Sequence, residues 1–159
     1  MGPSDVRLRD VIPADLPIFF AFQLDAEANR MAAFTAKDPT DRAAFLEHWH
    51  KIMGQSDITQ KTILFDGQVA GNILSFARFG DPEVGYWLGK QYWGKGIATR
   101  ALTEFLTLLK TRPLFARAAK DNAASIRVLE KCGFKVSGED KGFAEARGEE
   151  VEEFIFKLR

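Results

Sequence analysis

The sequence predicts an α+β fold: a mixed, mostly antiparallel sheet of six to seven strands with helices on both faces. Three observations predict it. Short β-rich runs separated by turn dipeptides indicate antiparallel strands in the first half and at the C-terminal end. A strongly amphipathic helix stands between two further strands, which indicates one right-handed parallel crossover. With 159 residues, 46% of them hydrophobic, the chain is long enough for one good core.

The first part of the chain predicts a short strand followed by two helices. Val6–Leu8 has the pattern of a strand, and Ala14–Asp25 that of a helix, because its apolar residues recur at three- and four-residue spacing. The stretch Glu27–Lys37 is mixed and predicts no definite element. A turn that starts at Asp38 supplies a cap for the second helix, Arg42–Met53.

Three strands are expected next. Thr59–Phe65 and Gln68–Arg78 are β-rich, and the dipeptide Asp66-Gly67 between them is typical of a tight hairpin turn. Asp81-Pro82 is expected to mark a second turn. The strand after this turn is Glu83–Leu88.

The second half predicts a helix, a strand, another helix and a closing antiparallel pair of strands. An apolar stripe defines the first helix, and Pro113 ends it. Asn122 is suited to cap the second helix, and Gly133 suits the position just past its end. The expected bounds are Ile97–Arg112, Leu114–Ala119, Ala123–Cys132, Phe134–Glu139 and Glu150–Leu158.

Composition excludes several classes of protein. Lys and Arg total 22, as do Asp and Glu, so net charge gives no support for nucleic-acid binding. No apolar run approaches the roughly 18 residues of a membrane span, and the N-terminal pattern is not that of a signal peptide. Cys132 is the only cysteine, so no internal disulfide forms. A cytoplasmic location without a membrane partner is the simplest expectation.

The segment Gln91–Thr99 carries the clearest chemical signal. Its glycines, Gly94 and Gly96, stand directly before the amphipathic helix, where unobstructed N–H groups and the helix N-terminus favour phosphate oxygens. A tight turn without a ligand is the plain alternative. A nucleotide-binding P-loop is a third, since Gly89–Gly96 nearly matches G-x-x-x-x-G-K-[ST]; Gly96, however, has no hydroxyl to hold Mg²⁺.

These residues match a family. Gln91-x-x-Gly94-x-Gly96 resembles the Q/R-x-x-G-x-G/A pyrophosphate loop of the GNAT superfamily of N-acetyltransferases. Glu83–Leu88 is similar to its fourth strand, and Asp121–Phe134 is similar to the Asn-x-x-Ser…Lys-x-Gly-Phe segment of the RimJ/RimL branch. The order of elements extends the resemblance over almost the whole chain. It implies one N-acetyltransferase domain over residues 1–159, with a splayed pair of parallel central strands.

The resemblance implies acetyl-CoA as cosubstrate and a primary amine as acceptor, either a protein N-terminus or a small molecule, with direct transfer in a ternary complex. In the family the pantetheine arm enters the gap between the fourth and fifth strands, and Gly85 is the expected place of that distortion. The backbone N–H of Leu88 would stabilise the developing oxyanion. The residues expected to bind acetyl-CoA are Trp87, Leu88, Gln91, Trp93, Gly94, Lys95, Gly96, Ile97, Ala98, Thr99, Asn122 and Ser125.

Acyl transfer to an amine requires a base, because an alkyl ammonium group has a pKa near 10. Glu83 is the candidate base, since strand alternation places it on one face with Gly85 and Trp87. Ser125 is the candidate acid for the departing thiolate. The family's frequent tyrosine acid is absent, because Leu129 stands at its position; the RimJ/RimL branch also tends to lack it. A surface carboxylate and a locally bonded helix serine are the plain alternatives.

Three further expectations concern metal binding, the oligomeric state and an alternative function. No metal is expected, because His48 and His50 lie two residues apart on a helix and therefore point in different directions. Because dimers are frequent in the family, a homodimer is one expectation. A second hypothesis for the function is a non-catalytic CoA-binding sensor or scaffold, motivated by the missing tyrosine.

Overall fold

The computed structural model describes residues 5–159, which contain seven strands and five α-helices. In chain order these are β1 (Val6–Asp10), α1 (Leu16–Gln23), α2 (Ala26–Ala32), α3 (Arg42–Met53), β2 (Thr59–Phe65), β3 (Gln68–Arg78), β4 (Asp81–Leu88), α4 (Ile97–Leu108), β5 (Leu114–Ala119), α5 (Ala123–Lys131), β6 (Lys135–Ala144) and β7 (Glu149–Leu158).

All seven strands belong to one sheet, in the order β1-β2-β3-β4-β5-β7-β6. Neighbouring strands are antiparallel except β4 and β5, which are parallel and connected through α4. The predicted fold class and the predicted crossover are therefore confirmed. The crossover brings the C-terminal end of β4, the N-terminus of α4 and the middle of the sheet together.

Helices cover both faces of the sheet. On one face α4 and α5 pack against the strands, and Phe105, Phe134 and Phe156 are completely or almost completely buried there. On the other face α1 and α3 form a smaller aromatic cluster, in which the Phe19 and Trp49 rings lie 5.1 Å apart. Burial of these large side chains supplies most of the driving force that holds helices to the sheet.

The first helical region differs from the prediction. Pro13–Asp15 forms a short 3-10 turn, and the α-helix begins at Leu16 rather than Ala14. A separate helix, α2, forms where no element was predicted. Asp25 caps it, because its carboxylate accepts a hydrogen bond of 2.8 Å from the N–H of Ala28.

The predicted turn at Asp81-Pro82 is wrong, since both residues belong to β4. The turn consists of Phe79 and Gly80, which both have positive φ, as the tightest hairpin turns require. Pro82 is tolerated because the alternation of the ladder directs its nitrogen away from β3, so its missing N–H costs no hydrogen bond to that strand.

The elements of the second half differ only at their ends. Helix α4 ends at Leu108, four residues before the predicted end, and Leu109 has an extended backbone. Pro113 disfavours the helical conformation at Arg112, so Arg112 cannot extend the helix. Helix α5 ends at Lys131, and β6 extends to Ala144, because β7 pairs with it along its whole length.

Candidate active site

Strands β4 and β5 separate over most of their length. They share a single registered pair, Glu83 with Phe115, whereas β4 pairs with β3 as far as Leu88. The predicted splayed pair is therefore confirmed. The β3–β4 register shows no bulge at Gly85, where a distortion was expected, and a Cβ on Gly85 would lie 3.8 Å from Phe76, an ordinary contact. The sheet opens on the β5 side alone.

Two N–H groups of β4, those of Tyr86 and Leu88, face the open gap, because the Val84 N–H lies at the single pair of Glu83 with Phe115. Gly89 donates its N–H to the Ala70 carbonyl at 2.9 Å, which fixes the alternation of the antiparallel ladder. By that alternation, Val84, Tyr86 and Leu88 direct their N–H and C=O groups away from β3 and toward β5. The Leu88 carbonyl accepts a hydrogen bond of 3.2 Å from the Trp93 indole, whereas the Leu88 N–H faces the gap.

A cavity of about 490 Å³ occupies the gap and extends to the N-termini of α4 and α5. Most residues expected to bind acetyl-CoA line it. These are Trp87, Leu88, Trp93, Gly94, Gly96, Ile97, Ala98, Thr99, Asn122 and Ser125. Gln91 and Lys95 do not line the cavity, and their side chains are exposed in the loop.

The loop before α4 is an open cradle of backbone. Gly94 and Gly96 have φ of 74° and 76°, a backbone conformation that residues with a side chain rarely adopt. An added Cβ on either glycine would meet no atom of residues 5–159 within 4 Å, so the space above the loop is open. The first hydrogen bond of α4 runs from Arg100 N–H to the Gly96 carbonyl, which leaves the N–H groups of Ile97 to Thr99 to other acceptors. The cradle therefore fits a diphosphate.

The first turn of α5 forms the opposite wall. Asn122 caps the helix, since its Oδ1 accepts the Ser125 N–H at 3.2 Å, and its amide nitrogen donates to the Met31 carbonyl at 3.2 Å. This second bond ties α5 to α2. The Ser125 hydroxyl lies 3.2 Å from the Tyr86 hydroxyl. The cap thus places a serine oxygen inside the gap.

Glu83 lies at the closed end of the gap, one residue before the cavity lining begins at Val84. It is 6% exposed, and its Oε1 lies 3.2 Å from Nε of Arg78 and 3.3 Å from Nε of Arg117. Burial raises the pKa of the Glu83 carboxyl, and the two arginines oppose this without cancelling it. The predicted base is therefore a buried carboxylate in an ion-pair network.

Sequence reasoning missed several residues of the cavity. No role was predicted for Tyr86, which lies between Gly85 and Trp87 in β4 and on the opposite face of the sheet. Arg127 and Lys131 both line the cavity from α5 and add positive charge to its wall. Their spacing of four residues places them on one helix face, which the sequence could have indicated. Ala28 and Met31 line the cavity from α2, a helix the pattern did not predict.

Other kinds of site are not found within residues 5–159. His, Cys, Asp and Glu side chains form no group of three or more arranged to hold a metal ion there. Among the helices in the same range, none combines the length and the apolar character that crossing a bilayer requires.

Known proteins resemble this chain in sequence and in fold. It is 30% identical to the N-acetyltransferase p20 of Bacillus licheniformis over 83 residues, which are 50% of this chain and 47% of that protein. The chain thus spans about half the length of this curated relative. It is 28% identical over 145 residues to the L-methionine sulfoximine/L-methionine sulfone acetyltransferase of Pseudomonas paraeruginosa, covering 83% of this chain and 81% of that enzyme.

Among solved structures, Mycobacterium smegmatis RimJ in complex with CoA-disulfide superposes with a TM-score of 0.76 at 23% identity, over 96% of this chain and 81% of RimJ. At that identity the superposition shows the fold alone. The family itself is shown by the sequence, because the pattern of the acetyltransferase (GNAT) domain matches residues 5–135. The split sheet, the glycine cradle and this match agree: the chain belongs to the GNAT acetyltransferase family.

Proposed function

We propose that this chain is an acetyl-CoA-dependent N-acetyltransferase, which moves an acetyl group directly to a primary amine in a ternary complex. The observation that carries the proposal is the gap between β4 and β5, a cavity of about 490 Å³ with an open cradle of backbone N–H groups at one end and a buried carboxylate just beyond the other. Acetyl-CoA supplies an activated thioester; positioning, oxyanion stabilisation and proton transfer are left to the protein.

The donor side of the cavity has the groups that a long phosphorylated thiol ester requires. The cradle at Gly94 and Gly96 offers backbone N–H groups, and Arg127 and Lys131 add charge for the phosphates. The gap-facing N–H groups of Tyr86 and Leu88 bind the pantetheine arm of acetyl-CoA in the way that a sheet edge binds an added strand. The Leu88 N–H polarises the thioester carbonyl, and the Tyr86 N–H, two residues deeper in the gap, is the alternative donor.

Glu83 is the proposed base. Its raised pKa makes it a stronger base than an ordinary surface carboxylate. Because the cavity lining starts one residue further on, we expect the proton to reach Glu83 through water. Arg78 and Arg117 hold the carboxylate in place, and part of the rate comes from positioning alone.

Ser125 is the proposed acid for the thiolate. Its hydroxyl lies in the cavity on the first turn of α5, and the Asn122 cap fixes its backbone. Leu129 lines the same cavity and carries no proton to give. Ser125 is therefore the hydroxyl of α5 that is best placed for this role.

The acceptor is a primary amine that enters on the side of the sheet carrying Glu83 and Trp87. The Trp87 indole N–H is buried there and has no hydrogen-bond partner within residues 5–159. The Pseudomonas relative named for methionine sulfoximine supports an amino-acid analogue as acceptor. A protein N-terminus is the other acceptor class that we propose. Both belong in the acceptor panel.

The decisive experiment measures thiol release from acetyl-CoA with purified protein and a panel of amines: L-methionine sulfoximine, polyamines, amino sugars and N-terminal peptides. Mass spectrometry then identifies the acetylated product. We expect turnover with at least one amine. The alternative, a non-catalytic CoA-binding sensor, predicts tight binding of acetyl-CoA by calorimetry without turnover on any of them. Absence of CoA binding would contradict both.

A further inference from the structure

We propose that Tyr86 is a positioning residue for thiolate protonation: its hydroxyl donates a hydrogen bond to Oγ of Ser125 and leaves the Ser125 proton directed at the departing sulfur. This role rests on the proposed function and assigns to the same site a residue that neither the motif nor the match to the family singles out.

The geometry places the two hydroxyls in one cavity. Tyr86 lies on β4 and Ser125 on α5, which are 39 residues apart in sequence, and their oxygen atoms are 3.2 Å apart. Both residues line the cavity. Tyr86 packs against the core on the α4 and α5 face, so its ring is held, while the Asn122 cap holds the backbone of Ser125. Neither hydroxyl can move far without losing this pair.

The direction of the hydrogen bond follows from acidity. Each hydroxyl has one proton to donate and two lone pairs to accept with. A phenol is a much stronger acid than an alcohol, so the Tyr86 proton lies between the two oxygens and the Ser125 proton is left for another acceptor. Burial raises the pKa of Tyr86; Ser125 opposes this, and nearby Cys132 adds to it, so the phenol keeps its proton at neutral pH. A bare serine hydroxyl rotates freely, whereas one that accepts from Tyr86 is oriented and more acidic.

The transfer balances in atoms and charge. The acceptor nitrogen forms its bond to the carbonyl carbon, the carbon–sulfur bond breaks, and its electron pair goes to sulfur. Ser125 gives its proton to sulfur and takes one back from water in the cavity, while Tyr86 keeps its proton and its hydrogen bond. The nitrogen releases one proton through Glu83 to water. The sum is one amide and one thiol for one amine and one thioester.

The first test compares two donors of different leaving-group acidity. Tyr86→Phe, Ser125→Ala and the double variant are assayed with acetyl-CoA and with its selenoester analogue, whose selenol leaves without protonation. We expect Tyr86→Phe to lose roughly 10-fold or more in kcat on acetyl-CoA, with KM unchanged, and to lose little on the selenoester. The double variant should be no slower than Ser125→Ala. An equal loss on both donors, or no loss on either, would overturn the proposal.

The second test needs no turnover. The thiol of bound CoA is titrated in the binary complex by the ultraviolet absorbance of its thiolate. Removal of a donor network that stabilises the thiolate raises this pKa, so Tyr86→Phe and Ser125→Ala should titrate at higher pH than the unmodified protein. Ser137→Ala, which removes an exposed hydroxyl on β6, is the matched control. CoA binding with no shift overturns this proposal alone; no CoA binding at all overturns the proposed function as well.

Discussion

The carboxylate of Glu83 lies 3.3 Å from Nε of Arg117, and this ion pair stands at the single rung that joins β4 to β5. Arg117 also donates to Glu153 at 2.8 Å and to Asp140 at 2.9 Å. One guanidinium therefore links the last paired residue of β4 to the other half of the sheet. Burial outweighs Arg78 and Arg117, and the nearby charge of Glu153 adds to it, so the pKa of Glu83 stays raised.

Replacement of Glu83 by Gln should remove the base without removing volume. Below its raised pKa Glu83 is protonated and cannot accept a proton, so the rate of the unmodified enzyme should fall as pH falls through that pKa. Glu83→Gln should lower kcat by about 10²-fold between the raised pKa of Glu83 and the pKa of the acceptor amine, and flatten this acidic limb. Glu139→Gln, at an exposed ion pair of the edge strand, is the control. An unchanged pH–rate profile in Glu83→Gln would exclude the role.

Arg78 gives a milder test of the same network. It is largely exposed, and its charge lowers the pKa of Glu83. Arg78→Gln should therefore raise that pKa further and shift the acidic limb to higher pH, while the rate at alkaline pH stays close to normal. Arg7→Gln, an exposed guanidinium on β1, should leave the profile in place. A limb that moves to lower pH in Arg78→Gln would contradict the assignment.

The glycine cradle is tested by a graded pair of substitutions. Gly96→Ala adds a methyl group into open space and costs about 1 kcal/mol of stability, because φ is positive there. Gly96→Trp fills the same space with a large ring. By calorimetry, CoA affinity should fall modestly in the first variant and by more than about 100-fold in the second. Equal affinities in the two folded variants would show that the diphosphate binds elsewhere.

Gly71 supports β4 from the side of β3. A Cβ there would lie 2.1 Å from the Trp87 carbonyl oxygen, which is backbone and cannot rotate away. Gly71→Ala should force the two strands apart and reduce the free energy of unfolding by at least about 2 kcal/mol in urea titrations. At Gly138 a Cβ would lie 3.8 Å from Ile155, so Gly138→Ala should change stability little. Similar losses in the two variants would contradict this packing argument.

Asp15 anchors the entry to α1. Its carboxylate accepts two hydrogen bonds from Arg9, one from Thr62 and one from the Ile12 N–H. Burial alone would raise the pKa of Asp15, but these bonds outweigh burial and lower it. Asp15 therefore stabilises the fold above the ordinary carboxyl pKa, and this contribution is lost as pH falls through the lowered one.

Asp15→Asn should accordingly cost about 3 kcal/mol in urea unfolding at pH 7, since Arg9 loses its buried partner. The difference from the unmodified protein should shrink as the titration is repeated toward acid pH. Asp10→Asn, which breaks an exposed pair with Lys61, is the control and should have little effect. A constant difference at every pH would mean that charge is not the source of the stability.

The sequence predicted most elements because their signals are local. The bounds of β2, β3, β5 and α3 match the structure, since turn dipeptides, caps and periodicity define them. Helix α2 was missed although Asp25 supplies an ordinary cap. Its residues Ala28 and Asn29 are buried by tertiary packing, which no local pattern records. The end of α4 was misplaced because Pro113 marked the predicted end, whereas the backbone is already extended at Leu109.

The site was predicted unevenly for the same reason. The cradle is a local motif, and its glycines have the expected open conformation. The environment of Glu83 depends on Arg78, Arg117 and Glu153, which lie on three different strands and converge only when the sheet forms. The Tyr86–Ser125 pair has the same character. Residue roles and the homodimer stay predictions, the latter to be checked by light scattering.

The single residue pair between β4 and β5 has a consequence for the stability of the folded protein. The halves β1–β4 and β5–β7 share almost no backbone hydrogen bonds, so side-chain packing under α4 carries the join. A substrate lying between the halves would form some of the backbone hydrogen bonds that β4 and β5 do not make with each other. At 100 times its dissociation constant it would add about 2.7 kcal/mol against unfolding. Resistance to heat and to proteolysis, and hence the lifetime of the protein, would then follow the supply of its own acyl donor.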